Sequence, residues 1–208
     1  MKMSKLIIGI VGAGKLGMTL AKLALDASYQ VNIAGSKDPA KITLATSVLA
    51  PEAQPMYTRD VIEKSDIIFL ALPLSKYQNI DAKWFAGKTV VDSMNYWWEI
   101  DGKTSNYYYD EQQTSSEKVQ AYLTQSVVVK AFNHMGYHDL ASMSHQQRVI
   151  VYAGTDEIAL AKVKQLIIDF GFVPYYIGNL HATSQLQPGG VLFGANEDMI
   201  GIKKLLNK

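Results

Sequence analysis

Short apolar runs alternate with stretches of helical spacing along most of this chain. Lys5–Val11 reads KLIIGIV, a β-branched run followed at once by turn glycines, and predicts a buried strand. From Lys15 to Ala27 the period changes. Leu16, Leu20, Leu23, Ala24 and Ala27 form one apolar stripe of a helix. Tyr29–Ala34 predicts a second strand. Asp38 as cap and Pro39 in the first turn open a poorer helix to about Leu49, which Pro51 and Pro55 end. Further strands are predicted over Asp66–Leu72 (stopped by Pro73), Lys88–Asp92, Ser126–Phe132 and Arg148–Tyr152. Thr155 then caps a helix whose first turn carries Asp156 and Glu157, favourable at the positive end of the dipole. Leu160, Val163, Ile167 and Phe170 line its inner face, Gly171 suits its exit, and Phe172–Ile177 reads as the last strand.

Strands that alternate with helices predict an α/β fold, a mainly parallel sheet covered on both faces. Two stretches break the alternation. Asn95–Ser116 is polar and aromatic, and too long for a simple connection, so it reads as a functional loop. After Ile177 comes a segment rich in Gly, Pro and Gln, then a short amphipathic end, Asn196–Leu206. No internal repeat, low-complexity tract or linker is present.

Composition narrows the function classes. The 208 residues suffice for one domain of ordinary size with a small appendage. Lys and Arg number 20 against 19 Asp and Glu, a net charge of +1, which argues against a dedicated nucleic-acid binder. Cysteine is absent, excluding disulfides and thiol chemistry and suiting a reducing compartment. The longest apolar run, Ile67–Leu74, is far short of the roughly 20 residues that span a bilayer. The N-terminus shows no cleavage-site pattern. The expectation is a cytoplasmic protein, without membrane or nucleic-acid partners, acting on a small molecule.

Gly12-Ala13-Gly14-Lys15-Leu16-Gly17 is G-x-G-x-x-G, placed between a predicted strand and a predicted helix. In that context Gly12 permits a tight turn, Gly14 lets backbone approach a pyrophosphate, and Gly17 lets the helix pack close to the sheet. The helix N-terminus offers N–H groups and a positive dipole end to phosphates. A dinucleotide-binding, doubly wound sheet of the Rossmann type is therefore expected. NAD sites usually carry Asp or Glu at the tip of the second strand, about 20 residues on. Here Ala34-Gly35-Ser36-Lys37 stands there, a hydroxyl and a cation that suit a 2′-phosphate. NADP(H) is thus expected over NAD(H). Ala71-Leu72-Pro73-Leu74 ends a later strand and belongs on the same ligand edge. Its residues either wall the adenosine or nicotinamide ribose, or pack as an ordinary turn.

Four stretches then resemble a known family, the NADP oxidoreductases dependent on the deazaflavin coenzyme F420. A similar domain occurs in the cytoplasmic part of six-transmembrane ferric reductases. The stretches are Ile8–Gly17, Ala34–Lys37, Val90-Val91-Asp92-Ser93-Met94-Asn95 and Val129-Lys130-Ala131-Phe132-Asn133. K-A-F-N after a strand is the most specific of them. The resemblance implies hydride transfer between NADP(H) and a flavin-like or F420-type ring. It implies that Gly12, Gly14, Lys15, Leu16 and Gly17 hold the pyrophosphate, and Ser36 and Lys37 the 2′-phosphate. It further implies that Leu72, Pro73 and Leu74 border the nicotinamide half, with Ala131, Phe132 and Asn133 as the floor near the nicotinamide. The family commonly has Arg at the place of Lys37, a planar fork where lysine offers a point charge. It has a small hydroxyl residue where this chain has His134, and Gln185–Gly189 lacks its usual acidic pairs. The expected organisation is an NADP-binding Rossmann domain over residues 1–180 and a C-terminal extension over 181–208, packed on the body or on a second subunit.

Other side chains remain as candidates. His134 is a weak candidate proton donor near the nicotinamide, against the alternative of a satisfied structural histidine. His134 and His138 are four apart and could share a helix face, but too few further ligands accompany them for a metal, and none is expected. Tyr96, Trp97, Trp98, Tyr107, Tyr108 and Tyr109 crowd the long loop, either as an aromatic wall for a planar acceptor or as loop packing and a homodimer contact. Asn95, Trp97 and His134 are expected to bound the acceptor pocket, since they follow strands on the ligand edge. The alternative in another class is a regulatory protein that senses NADP(H) without turning it over.

Overall fold

The structure, a computed structural model, describes residues 6–102 and 113–207. Six strands form one parallel sheet: β1 (Ile7–Val11), β2 (Gln30–Ala34), β3 (Gln54–Pro55), β4 (Ile67–Leu70), β5 (Thr89–Asp92) and β6 (Val127–Lys130). Their spatial order is β3-β2-β1-β4-β5-β6. The order reverses between β1 and β4, the point at which a doubly wound sheet opens a crevice beyond its strand ends. This is the expected Rossmann-like α/β fold. The register runs straight across the sheet, aligning Ala34, Val11, Leu70, Asp92 and Lys130 in one row. Whatever follows those residues therefore emerges on one edge.

The helices are α1 (Lys15–Asp26), α2 (Ala40–Leu49), α3 (Thr58–Lys64), α4 (Trp98–Asp101), α5 (Ser115–Tyr122), α6 (Tyr137–Ser142), α7 (Glu157–Asp169) and α8 (Met199–Leu206). Met18, Leu20, Ala21, Leu23 and Ala24 of α1 are buried in the larger core cluster, with Ile8, Ile10, Ile33 and Phe69 from the sheet. A second cluster takes the other side, with Val61 and Ile62 of α3, Phe85 and Val119 of α5. β4 and β5 are buried throughout and β1 from Ile8 onward, as near-continuous apolar runs in a covered parallel sheet must be.

Several expectations shift in detail. Asp38 does supply a cap acceptor, since its Oδ1 takes the Ala40 N–H at 2.8 Å, but helical backbone begins at Ala40 with Pro39 at the cap position. Asp156, not Thr155, caps α7: its carboxylate accepts from Ala159 N at 2.8 Å, because an ionised acceptor on the residue just ahead of the first turn reaches the third N–H. β3 and α3 fall where no element was expected; two residues of strand and seven of helix carry too little periodicity to read. The strands near Arg148 and Phe172 do not extend the main sheet. They form β7 (Val149–Tyr152) and β8 (Val173–Tyr176), a separate parallel pair joined to β6 by the antiparallel bridge between Lys130 and Ala153. Val149 and Val151 of this pair pack with Leu186, Leu192 and Ile202, so α8 closes over it.

Candidate functional site

The glycines of the first turn are placed by contact. Gly12 has φ +119°, and a Cβ there would stand 2.2 Å from the Ala71 carbonyl oxygen on the neighbouring strand end. A Cβ on Gly17 would stand 1.8 Å from the Gly12 carbonyl oxygen, so helix and turn touch backbone to backbone. Gly14 differs: a Cβ there would meet nothing within 4 Å. The space over Gly14 is open, as a cradle for a pyrophosphate requires. Among the described residues no side chain caps the start of α1, although Thr114, Asp156 and Asp198 cap α5, α7 and α8. The first N–H groups of α1 are left to whatever occupies that space, and the dipole favours an anion.

From this turn opens a cleft of about 750 Å³. Gly12, Ala13, Gly14, Ser36, Leu72 and Pro73 line it, together with Ile42, Thr58, Lys76, Asn79, Ile80 and Trp84. Among the described residues no carboxylate lines it, and Lys76 is the one charged side chain there. An anionic dinucleotide fits this donor set, and a 2′-phosphate meets no repulsion at the tip of β2. Lys37 follows Ser36 and is exposed. Thr58, Lys76, Asn79, Ile80 and Trp84 were not foreseen. They come from α3 and from two 3-10 turns, Leu74–Asn79 (with Ile80 as the residue that ends it) and Ala82–Phe85, too short to leave a periodic trace.

The remaining expected residues divide. Lys15 sends its ammonium over the Tyr137 ring, 5.3 Å from the centroid, so only its backbone faces the glycine turn. Leu16 packs on the main core and Gly17 is buried. Leu74 is fully buried in the second cluster and is not among the residues lining this cleft; Pro73 turns the chain so that Leu72 and Leu74 part. Ala131 and Phe132 are likewise fully buried. The Phe132 ring packs on Phe69 and Phe170, at centroid distances of 5.7 and 5.6 Å, while its backbone takes φ +63°. Such a conformation is uncommon for a residue with a bulky side chain, and here it turns the backbone sharply beyond β6. Any contact that these two make with a ligand is through the main chain.

Asn95 and Asn133 clasp each other across the tips of β5 and β6. Asn95 Nδ2 donates to the Asn133 carbonyl at 2.7 Å, and Asn133 Nδ2 donates to Asn95 Oδ1 at 2.9 Å and to the Leu186 carbonyl at 2.8 Å. Asn133 Oδ1 is buried without a hydrogen-bond partner among the described residues. Beneath them Lys130 and Asp92, both fully buried, form an ion pair of 3.1 Å. Burial pulls the Lys130 ammonium below the usual lysine range, and the Asp92 carboxylate opposes that pull. This pair was missed, yet a lone lysine inside the apolar run VVVKAF was its signal, since a buried cation demands a partner.

His134 is not where a proton donor would be. Its Nδ1 lies 3.1 Å from the Ala195 carbonyl and its Nε2 accepts the Val151 N–H at 3.0 Å. Both ring nitrogens are thereby used in one neutral tautomer, and burial lowers its pKa to about 4. It ties the segment ahead of α8 to β7 and is withdrawn both as proton donor and as wall of the acceptor pocket. Nor do His134 and His138 share a helix face, because α6 begins at Tyr137. Among the described residues no cluster of His, Asp and Glu could hold a metal ion. Trp97 is 45% exposed and meets Phe193 edge-on at 5.7 Å. Tyr107, Tyr108 and Tyr109 lie outside the described residues. No helix among the described residues is long and apolar enough to cross a membrane.

Comparison with known proteins agrees with this geometry. No protein with a curated description matches the sequence. Among solved structures, a hypothetical protein of Sinorhizobium meliloti is similar with a TM-score of 0.82 at 28% identity, over 93% of this chain and 96% of that one. A protein described as a candidate F420-dependent NADP-reductase from Arthrobacter sp. has a TM-score of 0.73 at 20% identity, over 98% of this chain and 91% of its own. A reductive aminase of Aspergillus terreus, solved with NADPH4, reaches 0.62 at 15% identity; this chain covers 57% of its length. These last two likenesses are of fold. In sequence, residues 7–96, which hold the glycine turn, the Ser36–Lys37 tip and the Leu72–Pro73 turn, match the family described as NADP oxidoreductase, coenzyme F420-dependent.

Proposed function

We propose that the protein is an NADP(H)-dependent oxidoreductase that moves a hydride between the nicotinamide and a flavin-like or F420-type acceptor. The observation that carries this reading is the glycine turn, closed at Gly12 and Gly17, open above Gly14, and leading into a cleft that no carboxylate of the described residues lines. In it Gly12 to Gly17 hold the pyrophosphate through backbone N–H groups, and Ser36 and Lys37 take the 2′-phosphate. Leu72 and Pro73 wall the bound nucleotide. The main chain of residues 131–133 and the Asn95–Asn133 clasp lie under the nicotinamide half, with Trp97 beside the acceptor. Nicotinamide and acceptor supply the redox chemistry themselves; the chain aligns the two rings and keeps water from between them. That division of labour suits a site without an acid–base dyad. Residues 1–180 form the nucleotide-binding domain in this reading and 181–208 an extension on it, in a cytoplasmic protein that pairs with a second copy. Oxidation of NADPH measured against a panel of flavins, F420 and quinones tests it: turnover with one of them above the protein-free rate is expected.

A second reading, an NADP(H) sensor without turnover, draws its support from His134, whose ring nitrogens are both engaged by backbone. Tight NADPH binding with no acceptor oxidising it would favour this reading.

A further inference from the structure

The geometry points to Lys130 as a positioning residue, whose ammonium fastens the tip of β5 to the tip of β6 and so sets the surface under the nicotinamide half of the nucleotide. The inference rests on the reading above that these tips hold that half. Lys130 is fully buried and touches no ligand edge itself. Its Nζ donates to the Met94 carbonyl at 2.6 Å and to Asp92 Oδ2 at 3.1 Å. Asp92 Oδ1 accepts the Met94 N–H at 3.0 Å, and its Oδ2 also accepts the Ser116 hydroxyl at 2.8 Å. Both backbone polar groups of Met94 are thus held by one ion pair. The next residue, Asn95, is the one that clasps Asn133. A second tie runs beside the first, from the Ser93 hydroxyl to the Ala131 carbonyl at 2.9 Å.

Stability alone does not account for the pair. A buried ion pair regains by attraction about what it loses in desolvation, and apolar residues of the same size usually serve a core as well. What an apolar pair cannot do is orient a peptide. Without Lys130 the Met94 carbonyl has no donor among the described residues, the peptide between Met94 and Asn95 is free to turn, and the Asn95–Asn133 clasp loses its alignment. The adenosine half is anchored on the other side of β1, around Gly14 and Ser36, and does not depend on this tie.

Calorimetric titration with two probes separates the halves: NADPH, and adenosine 2′,5′-bisphosphate, which lacks the nicotinamide. The variant is the charge-neutral pair Asp92→Asn with Lys130→Met, because Lys130→Met alone strands a buried carboxylate. The double variant should weaken NADPH binding about tenfold and leave the bisphosphate within about twofold of wild type. Asn95→Ala, at a half-buried loop position that leaves the core intact, should reproduce that split. A folded double variant that binds both probes as wild type does would overturn the inference, and so would wild-type NADPH affinity in Asn95→Ala. If wild-type protein binds neither probe, the dinucleotide reading itself has failed and carries the inference with it; if it binds both and only the split is missing, that reading stands and Lys130 is a structural residue.

Discussion

Gly17 lies so close to Gly12 that a Cβ on it would stand 1.8 Å from the Gly12 carbonyl oxygen, whereas Gly14 between them faces open space. Two glycines of one motif therefore serve packing, and the third leaves open space that the proposed pyrophosphate would fill. Gly17→Ala should force α1 away from the turn and destabilise the protein by about 2 kcal/mol or more, visible as a lowered thermal midpoint. Gly14→Val should leave the midpoint near that of wild type and abolish NADPH binding, because its side chain fills the pyrophosphate's space. Retained NADPH affinity in the Gly14→Val protein would mean that the cradle is not used.

The tip of β2 should decide between the two nicotinamide cofactors. Lys37→Ala is expected to weaken NADPH by about 1–2 kcal/mol, the scale of one charge-assisted contact at an exposed site, and to leave NADH unchanged. Equal losses for both nucleotides in parallel titrations would remove Lys37 from the 2′-phosphate.

Acid should act through His134. Its pKa is lowered from 6.5 to about 4, because burial disfavours the imidazolium. Above pH 6.5 the ring is neutral in both folded and unfolded chains, and the stabilisation is complete. Between 6.5 and about 4 the unfolded chain takes up the proton first, so stability falls as the pH falls; below about 4 the loss is complete. At pH 5 the cost is about 2 kcal/mol relative to pH 7. Urea unfolding at the two pH values should show that loss in wild type and a smaller one in His134→Asn. Identical pH dependence in both proteins would show that the ring titrates normally.

Trp97 presents an exposed ring braced edge-on by Phe193. Stacking on a planar acceptor contributes about 0.5–1.5 kcal/mol beyond burial. Trp97→Ala should raise the acceptor KM severalfold with the Kd for NADPH unchanged. An unaltered acceptor KM would place the acceptor elsewhere.

Much of the nucleotide side was legible without coordinates. Ile7–Val11, the glycines and the α1 stripe are a local code, in which each glycine's spacing states its role, so Gly12, Gly14 and Gly17 could be read one by one. The place of Ser36 at the tip of β2, on the cleft, was legible for the same reason, lying at a set distance along the βαβ unit. Lys76, Ile80 and Trp84 were not, since short turns carry no period and reach the cleft only through the packing of α3 and the sheet.

The sequence by itself determined the parallel sheet, the glycine turn and a β2 tip without a carboxylate, because these depend on residues near each other in the chain. Tertiary structure decided the rest. Whether Phe132 faces ligand or core, whether His134 carries a free nitrogen and what pairs with Lys130 are questions about partners far away: Phe69, Val151 with Ala195, and Asp92. A buried ring or charge takes its chemistry from whatever surrounds it. Those surroundings are assembled from strands and loops that the sheet's register brings together and that no local pattern names.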